Sequence, residues 1–142
     1  ENNNLISMIL EASTFDERIL IFDSFLIDRL NNYAIPNMID ESLKLMFSTC
    51  GNILIEDLAN RVGYAPRYFR KIFTEFVGLS PKLFCQIIRF QKSFYNYTKK
   101  DDIPLCSLAI NYGYYDQSHM NREYVKLTNE LPRSLKTKLF TY

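Results

Sequence analysis

The sequence is poor in the residues that build catalytic and metal sites. It contains a single histidine, His119, which excludes metal sites made of several imidazoles and leaves any Ser-His or Cys-His pair dependent on one residue. Cys50, Cys85 and Cys106 are odd in number and widely spaced, so neither a disulfide framework nor a zinc motif is indicated. Small buried side chains are the simpler interpretation. We therefore expect no cofactor, no metal and no enzyme activity.

Long apolar runs are also absent. No stretch approaches the roughly 18 residues that span a bilayer, and the acidic start at Glu1 lacks the basic and apolar regions of a signal peptide. Only four glycines and five prolines occur, and 47% of the residues are hydrophobic, which excludes a disordered chain. We expect a cytoplasmic protein without a membrane partner. Because the chain starts at Glu and not at Met, we expect a fragment whose missing part lies upstream.

The net charge of +1 taken alone argues against a polyanionic partner, but the uneven distribution of the charges along the chain argues for one. Residues 1–57 hold ten acids and three bases, whereas residues 58–100 hold nine bases and one acid, Glu75. Residues 101–142 carry five of each. A local concentration of Lys and Arg is what phosphate contacts require, so the middle of the chain is predicted to bind nucleic acid. A solvated basic face with no partner is the alternative.

The first 35 residues have the pattern of a helical arm. Between Thr14 and Asn32 apolar residues recur every three or four positions, as on one face of a helix, and Thr14 with Glu17 forms a capping box. Further apolar residues widen this face, so the helix needs cover from the rest of the chain, from a missing upstream domain or from a second subunit. We interpret residues 1–35 as the tail of an upstream sensor or dimerisation domain, through which the chain could form a homodimer.

Residues 36–142 are predicted to be all-α. Pro36 interrupts the preceding pattern, and Asn37 is placed to cap a helix that runs to about Thr49. No run of alternating residues bounded by turns predicts a strand. Further helices are expected at about 55–62, 66–77, 81–97, 105–112, 116–128 and 132–139.

Two segments of this region are copies of one unit. An offset of 50 residues aligns Leu58-Ala59-(x)3-Gly63-Tyr64 with Leu108-Ala109-(x)3-Gly113-Tyr114, and an offset of 51 aligns Phe69 with Met120 and Phe73 with Tyr124. Each copy reads as a short helix, a glycine-containing turn and a helix of about three turns, which is the helix-turn-helix arrangement. We call them the first head, about 55–77, and the second head, about 105–128. All the aligned residues are predicted to pack between the two helices of their head.

The outer face of the second helix in the first head carries three candidate DNA contacts. Arg67, Arg70 and Lys71 lie at spacings of three and four, on one side of a helix and near its N-terminal half. This is the part of a recognition helix that enters the major groove. Arginine presents a fork of donors to guanine or to phosphate, so these residues are predicted to contact bases and backbone.

The equivalent face of the second head is richer in amides. It carries Gln117, Ser118, Asn121 and Arg122. Gln and Asn can pair with adenine through two hydrogen bonds, and Arg122 can bind guanine or phosphate. An ordinary wet helix face is the alternative, but it leaves unexplained why both copies avoid acids there, apart from Glu123, which falls off that face.

Taken together, these residues resemble the DNA-binding domain of the AraC/XylS family of bacterial transcription regulators. The similarity rests on LANRVGYAPRYFRKIFTEFVGLSPKLFCQIIRFQKS at 58–93 and LAINYGYYDQSHMNREYVKLTNELPRS at 108–134, and it covers roughly residues 38–140. It implies a seven-helix domain in which a linker helix, about 81–97 with Ser80 as N-cap, joins the two heads. It also implies that the seven candidate residues occupy reading positions. Arg89 and Lys92 of the linker are expected to serve packing or salt bridges.

Two departures from the family pattern make the heads unequal. Ala65 stands where a capping Ser is common, which forfeits about 1 kcal/mol of cap. Asn129-Glu130 replaces the usual Gly, and Glu130 is expected to repel phosphate. Because the first head and the linker helix carry the excess of bases, whereas the second head is balanced in charge and rich in amides, the first head is expected to supply most of the affinity and the second head to adjust specificity.

The main hypothesis is a transcription regulator that binds two adjacent major-groove segments of promoter DNA and acts on RNA polymerase. One alternative is a protein-interaction module in which the helix-turn-helix units are degenerate and the arm mediates assembly. Another is a repair enzyme with a reactive cysteine, which the absence of a nucleophile motif around any Cys disfavours.

Overall fold

The computed structural model describes residues 2–31, 35–99 and 103–139 of the chain. It divides into two compact units, Glu1–Pro36 and Asn37–Tyr142. Every regular element in the described ranges is a helix, which confirms the all-α prediction. None of these helices is long and apolar enough to cross a membrane.

The first unit contains two helices, α1 (Asn2–Glu11) and α2 (Phe15–Asn31), which contact each other. The predicted capping box is present: the Glu17 amide donates to Thr14 Oγ1 at 3.2 Å, and the Thr14 amide donates to Glu17 Oε2 at 3.2 Å. Helix α1 was not expected from the sequence, because its asparagine-rich start carries no helix signal. No residue of α2 is buried. The large apolar side chains that are exposed among the described residues of this unit are Ile6, Met8, Leu10, Phe15, Ile19, Leu20, Phe22, Leu26, Ile27, Leu30 and Ile35.

The described residues of the second unit form seven helices, as the family resemblance implied. They are α3 (Asn37–Ser48), α4 (Ile55–Arg61), α5 (Pro66–Val77), α6 (Pro81–Lys99), α7 (Leu105–Asn111), α8 (Gln117–Thr128) and α9 (Pro132–Leu139). Helix α6 is the linker helix. It begins as predicted, because the Leu83 amide donates to Ser80 Oγ at 3.3 Å and Pro81 needs no amide partner in the first turn.

The first head is built on a core of aliphatic and phenylalanine side chains. Leu58 and Ala59 of α4 and Phe69 and Phe73 of α5 are completely buried. Helix α3 closes this core, and α6 contributes to it from the other side. The remaining buried members are Met38, Ile39, Met46, Val62, Cys85 and Ile88. Apolar burial is therefore the main interaction that holds the recognition helix of this head in place.

The second head has a smaller core in which Tyr124 replaces Phe73 and Met120 replaces Phe69. Tyr124 is completely buried, and its hydroxyl lies 2.7 Å from the hydroxyl of Ser93 on α6. The ring of Tyr124 meets Phe90 edge-on at a centroid distance of 4.7 Å. The other buried members are Tyr97, Leu105, Leu108, Ala109, Tyr114 and Met120. Polar bonds to α6 thus take part in holding this head.

Two glycines allow the heads to approach α6 and each other. Gly51, with φ +73°, lies so close to the Cys85 carbonyl that a Cβ would collide with it. A Cβ at Gly113, which also has φ +73°, would meet the end of the Asn52 side chain, so here the positive φ is the stronger constraint. Since Asn52 lies in the loop between α3 and α4 and Gly113 in the turn between α7 and α8, this contact joins the loop that precedes the first head to the turn of the second head. Only glycine fits at such a close approach with a positive φ.

One packing prediction was wrong. Tyr64 was expected to seal the first head as Tyr114 seals the second, and Tyr114 is 4% exposed. Tyr64 is instead 42% exposed and stacks on Tyr68, with centroids 5.6 Å apart. Val62 and the α5 phenylalanines already fill the space in the first head, so the ring of Tyr64 turns outward.

Candidate nucleic-acid interface

The recognition helix of the first head, α5, begins without a side-chain cap. Ala65 occupies the N-cap position with an extended backbone, and no side chain bonds the free amides of the first turn. Pro66 at the first helical position reduces the need, because it has no amide hydrogen to satisfy. Gly78 ends the helix in the left-handed conformation, with φ +80°. The missing cap agrees with the prediction made from Ala65.

The three basic residues predicted for the first head all lie on exposed parts of α5. Arg67 and Lys71 stand on the side opposite the buried Phe69 and Phe73. Arg67 forms no ion pair with any residue that the structure describes. Lys71 Nζ lies 3.8 Å from Glu75 on the same helix, and both side chains are well exposed. Such an exposed ion pair contributes little to stability and restrains Lys71 only weakly.

Arg70 differs from the other two because it is bonded to a second helix. Its Nη2 donates to Glu56 Oε1, from the first turn of α4. The side chains are 48% and 59% exposed, so the pair remains reachable from solvent. Both residues also line an open groove of about 600 Å³, to which Lys82 and Arg89 of α6 contribute. The sequence did not reveal this pair, since the partners lie 14 residues apart and no local spacing joins them.

The recognition helix of the second head, α8, begins with a strong cap. The Asp116 carboxylate accepts a hydrogen bond from the His119 amide at 2.6 Å. Asn129 ends the helix in the left-handed conformation with φ +59°, the place that Gly78 holds in the first head. The replacement of glycine by Asn129 is therefore compatible with the helix end, because asparagine tolerates this conformation.

The four residues predicted for the second head are not equally presented. Ser118 and Arg122 are exposed, whereas Gln117 and Asn121 are half-buried at the edge of the face. Asn121 Oδ1 is buried and has no hydrogen-bond partner among the residues that the structure describes. In this rotamer the amide cannot accept from an adenine amino group, so a two-bond pairing with adenine requires it to rotate.

Glu123, which follows Arg122, turns inward and ties α8 to α6. Its side chain is 7% exposed and accepts from Arg89 Nη2 at 3.1 Å and from Gln86 Nε2 at 3.0 Å. His119 Nε2 lies 3.3 Å from the same carboxylate. Its other nitrogen, Nδ1, accepts from the Tyr115 amide at 3.2 Å, so the single histidine of the chain is held by neighbours on both sides of its ring.

Arg89 is the centre of this junction. Besides Glu123 it donates to the Gly113 carbonyl at 3.4 Å, and its guanidinium lies 5.0 Å from the ring centre of Tyr114. The expectation that Arg89 forms a salt bridge is confirmed. Lys92 is exposed, and the described residues give it no ion pair, so the same expectation is wrong for Lys92. Helix α6 turns Arg89 toward the second head and Lys92 toward solvent.

The expected repulsion from Glu130 is reduced by its neighbours. The carboxylate accepts from Ser134 Oγ at 2.5 Å and from Lys138 Nζ, both on α9. The hydrogen bond from Lys138 is the main cause that lowers the pKa of Glu130 from its ordinary value. The carboxylate therefore stays ionised, but its charge is matched within the domain.

The cysteines differ in exposure. Cys85 is buried, Cys50 is half-buried and Cys106 is exposed, and all three are free thiols. Burial raises the pKa of the Cys85 thiol to about 11, so it is a thiol and not the reactive thiolate at neutral pH. Within the described ranges no group of His, Cys, Asp and Glu side chains could hold a metal ion.

Comparisons with known proteins agree on the fold. A family model described as a helix-turn-helix domain matches residues 58–138, which is more than half of the chain. Curated proteins offer no match.

Several solved structures share the architecture of the second unit. A transcriptional regulator with an AraC-type DNA-binding domain from Chromobacterium violaceum is 17% identical, with a TM-score of 0.64 over 73% of this chain and 93% of that one. The C-terminal domain of AraT, a response regulator from Geobacillus stearothermophilus, is 15% identical, with a TM-score of 0.68 over 75% and 88%. The DNA-binding domain of the transcriptional factor AdpA, in complex with a target DNA, is 14% identical, with a TM-score of 0.64 over 72% and 93%.

Proposed function

The chain belongs to the AraC-type family of helix-turn-helix domains, and on that premise we propose that it regulates transcription by binding two adjacent major-groove segments of promoter DNA. The observation that carries the proposal is that one compact unit presents two recognition helices, each with an exposed outer face that is free of acids in its N-terminal half. Helix α6, about 28 Å long at 1.5 Å per residue, suits heads that read successive turns of one side of a duplex.

In this proposal the first head supplies most of the affinity. Arg67 and Lys71 are exposed and hold no strong internal partner, so their charges are available to phosphates or base edges. Arg70 is the third contact, with a guanidinium whose orientation is restricted by Glu56. The excess of bases between residues 58 and 100 adds a general attraction to the polyanion.

The second head adjusts specificity. Ser118 and Arg122 are the exposed residues of this set and make the primary contacts. Gln117 and Asn121 contribute at the edge, Asn121 after rotation of its amide. The charges of this part of the chain balance, so its contacts add recognition more than attraction.

The decisive experiment is selection of the chain against random duplex DNA, followed by titration of the selected sequence at several salt concentrations. We expect enrichment of a bipartite site whose halves lie about one helical turn apart, and affinity that falls steeply with salt. Arg67→Ala and Arg122→Ala should weaken binding, the first more than the second. Absence of any enriched sequence, together with salt-independent binding, would contradict the proposal.

The exposed apolar side chains of α1 and α2 support a second role, association of two copies of the chain through the first unit. A helical hairpin with no buried residue on α2 leaves its apolar surface in water, where a matching copy lowers the free energy by covering it. A dimer would place two DNA-binding units on one promoter, from which RNA polymerase could be recruited or blocked.

Sedimentation equilibrium of the whole chain tests the association. We expect a dimer that becomes a monomer when Phe22→Asp and Leu26→Asp are combined. The matched control is Glu17→Gln with Asp23→Asn, which changes two polar residues of the same helix. A wild-type chain that remains monomeric at high concentration would remove this second role and leave the DNA-binding proposal intact.

A further inference from the structure

An ion pair between Arg70 and Glu56 joins the two helices of the first head on the surface that is proposed to face DNA. Arg70 lies in the second turn of the recognition helix, and Glu56 reaches it from the first turn of α4. An acid in an N-terminal turn is favourable for α4 itself, but at a DNA-binding surface it repels phosphates. A carboxylate in this place therefore opposes general attraction to DNA.

The three candidate DNA contacts of this head differ in how strongly other residues of the chain restrain their side chains. Arg67 has no side-chain partner in the part of the chain that the structure describes, and Lys71 has only a loose contact within its own helix. Arg70 alone is bonded across helices. A guanidinium has five N–H donors in a rigid plane, so a bond from Nη2 to Glu56 restricts its direction and leaves the other donors free.

The second head has no equivalent of this pair. The position that corresponds to Glu56 at an offset of 50 is Cys106, and the position that corresponds to Arg70 at an offset of 51 is Asn121. Neither a thiol nor a short amide makes an ion pair. Of the two aligned positions, only the one that carries an arginine, Arg70, is paired with an acid.

We propose that Glu56 is a positioning residue that holds Arg70 in the direction from which its guanidinium reads the edge of one guanine, rather than a phosphate. The proposal rests on the proposed DNA-binding function. A restrained fork loses less side-chain freedom on binding, and it matches the two acceptors O6 and N7 of guanine more closely than the diffuse acceptors of the backbone. Glu56 thus lowers general attraction to DNA and increases discrimination.

The test compares Glu56→Gln with the wild-type chain on the selected DNA site, on versions with each base pair changed in turn, and on random DNA. A good two-bond contact to guanine gives about tenfold to hundredfold discrimination against other bases. We expect Glu56→Gln to reduce the preference at one G·C pair to about threefold or less, and to bind random DNA as tightly as the wild type or slightly more tightly.

Asp57→Asn is the matched control. Asp57 is the next residue of the same helical turn, it is exposed, and it has no ion-pair partner among the residues described. Its replacement removes the same charge without touching Arg70. We expect a small and equal gain in affinity for every sequence, with base preference unchanged. Thermal unfolding followed by circular dichroism verifies that both variants are folded.

Arg70→Lys gives an independent measurement. Lysine keeps the charge and can still pair with Glu56, but it lacks the planar fork. We expect the same loss of preference for guanine, and no further loss when Glu56→Gln is added.

The proposal is overturned if Glu56→Gln strengthens binding to all sequences by one factor, as Asp57→Asn does, or if it leaves the base preference as it was. A wild-type chain that selects no sequence at all is a different result. It contradicts the proposed function, whereas retained preference in Glu56→Gln contradicts only the role of Glu56.

Discussion

The two heads follow the same backbone plan, but different interactions hold their recognition helices. In the first head α5 packs through Phe69 and Phe73 into an apolar core that α3 closes. In the second head α8 is bonded to α6 through Glu123 and Arg89, and through the hydroxyl of Tyr124. Ile72 corresponds to Glu123 in the repeat, so an apolar contact of one head is replaced by an ion pair in the other. In this fold the recognition helix can therefore be held either by apolar packing or by an ion pair with the linker helix α6.

The largest effect is expected from breaking the apolar head. Phe73→Ala removes a completely buried ring that contacts Phe69 and Phe84. We expect a loss of about 3 to 5 kcal/mol in the free energy of unfolding, measured by urea denaturation. Hydrogen exchange should show that amides of α5 lose more protection than those of α8. Equal loss in both helices would show that the heads unfold as one body and that the difference between their cores has no local effect.

Removing the ion pair of the second head should lower the free energy of unfolding by nearly as much, but a second substitution should restore most of this stability. Arg89→Met leaves the buried Glu123 without its main partner, and the expected loss is about 3 kcal/mol. Adding Glu123→Leu removes the unpaired charge and should restore most of the stability, since an apolar residue already serves at the corresponding Ile72. A double variant no more stable than Arg89→Met would mean that the ion pair is not interchangeable with apolar packing.

At alkaline pH the two heads should lose stability in different pH ranges, because different buried groups titrate in their cores. Burial raises the pKa of Tyr114 from 10.0 to about 12, and it raises that of Tyr124 as well. The neutral hydroxyls are favoured in the folded state, so their contribution is complete below pH 10 and is lost as pH rises toward 12. For Tyr114 alone this is about 2 kcal/mol. In the core of the first head, Cys85 of α6 acts in the same way, because burial raises the pKa of its thiol from the ordinary value of 9.0 to about 11.

Unfolding free energies of the wild type and of Cys85→Val, measured against pH, check this. Cys85→Val should remove the earlier step and leave the later one, which tyrosinate absorbance should follow. Persistence of the earlier step in Cys85→Val, or absence of the later one, would contradict the assignment.

The smallest effect concerns the starts of the recognition helices. Asp116→Ala removes the cap of α8 and should cost about 1 kcal/mol, whereas Ala65→Ser gives α5 a cap and should add a similar amount. Thermal unfolding of the two single variants and of their combination measures both. Additive changes are expected because the caps lie in different heads. A destabilising Ala65→Ser would show that the α5 start cannot place a hydroxyl near its free amides.

Much of this architecture could be predicted from the sequence, because helical periodicity and the internal repeat are local signals. The borders of α5 and α8 and the capping residue Ser80 follow from turn and cap residues. What could not be predicted depends on tertiary contacts. Gly63-Tyr64 and Gly113-Tyr114 are the same motif, yet only Tyr114 is buried, because Arg89 and Glu123 shape a site for it.

In the candidate interface too, some features could be predicted from local sequence patterns, whereas others depend on tertiary contacts. Residue type and spacing placed Arg67, Lys71, Ser118 and Arg122 on exposed helix faces, and the structure has them there. The bond of Arg70 to Glu56 and the buried oxygen of Asn121 depend on neighbours distant in the chain. Single-sequence patterns carry no information on such pairs. The DNA contacts themselves remain predictions.

If the chain binds DNA through both heads as proposed, the contact between Asn52 and Gly113 and the Arg89 hydrogen bond to the Gly113 carbonyl have a consequence for the kinetics of release from DNA. Two modules on a flexible tether leave a ligand one at a time, and the module that stays bound keeps the other at a high effective concentration. Here the shared helix and the glycine contact hold one head against the other. We therefore expect no half-bound intermediate: the heads leave DNA together, in one step whose rate depends on both interfaces at once.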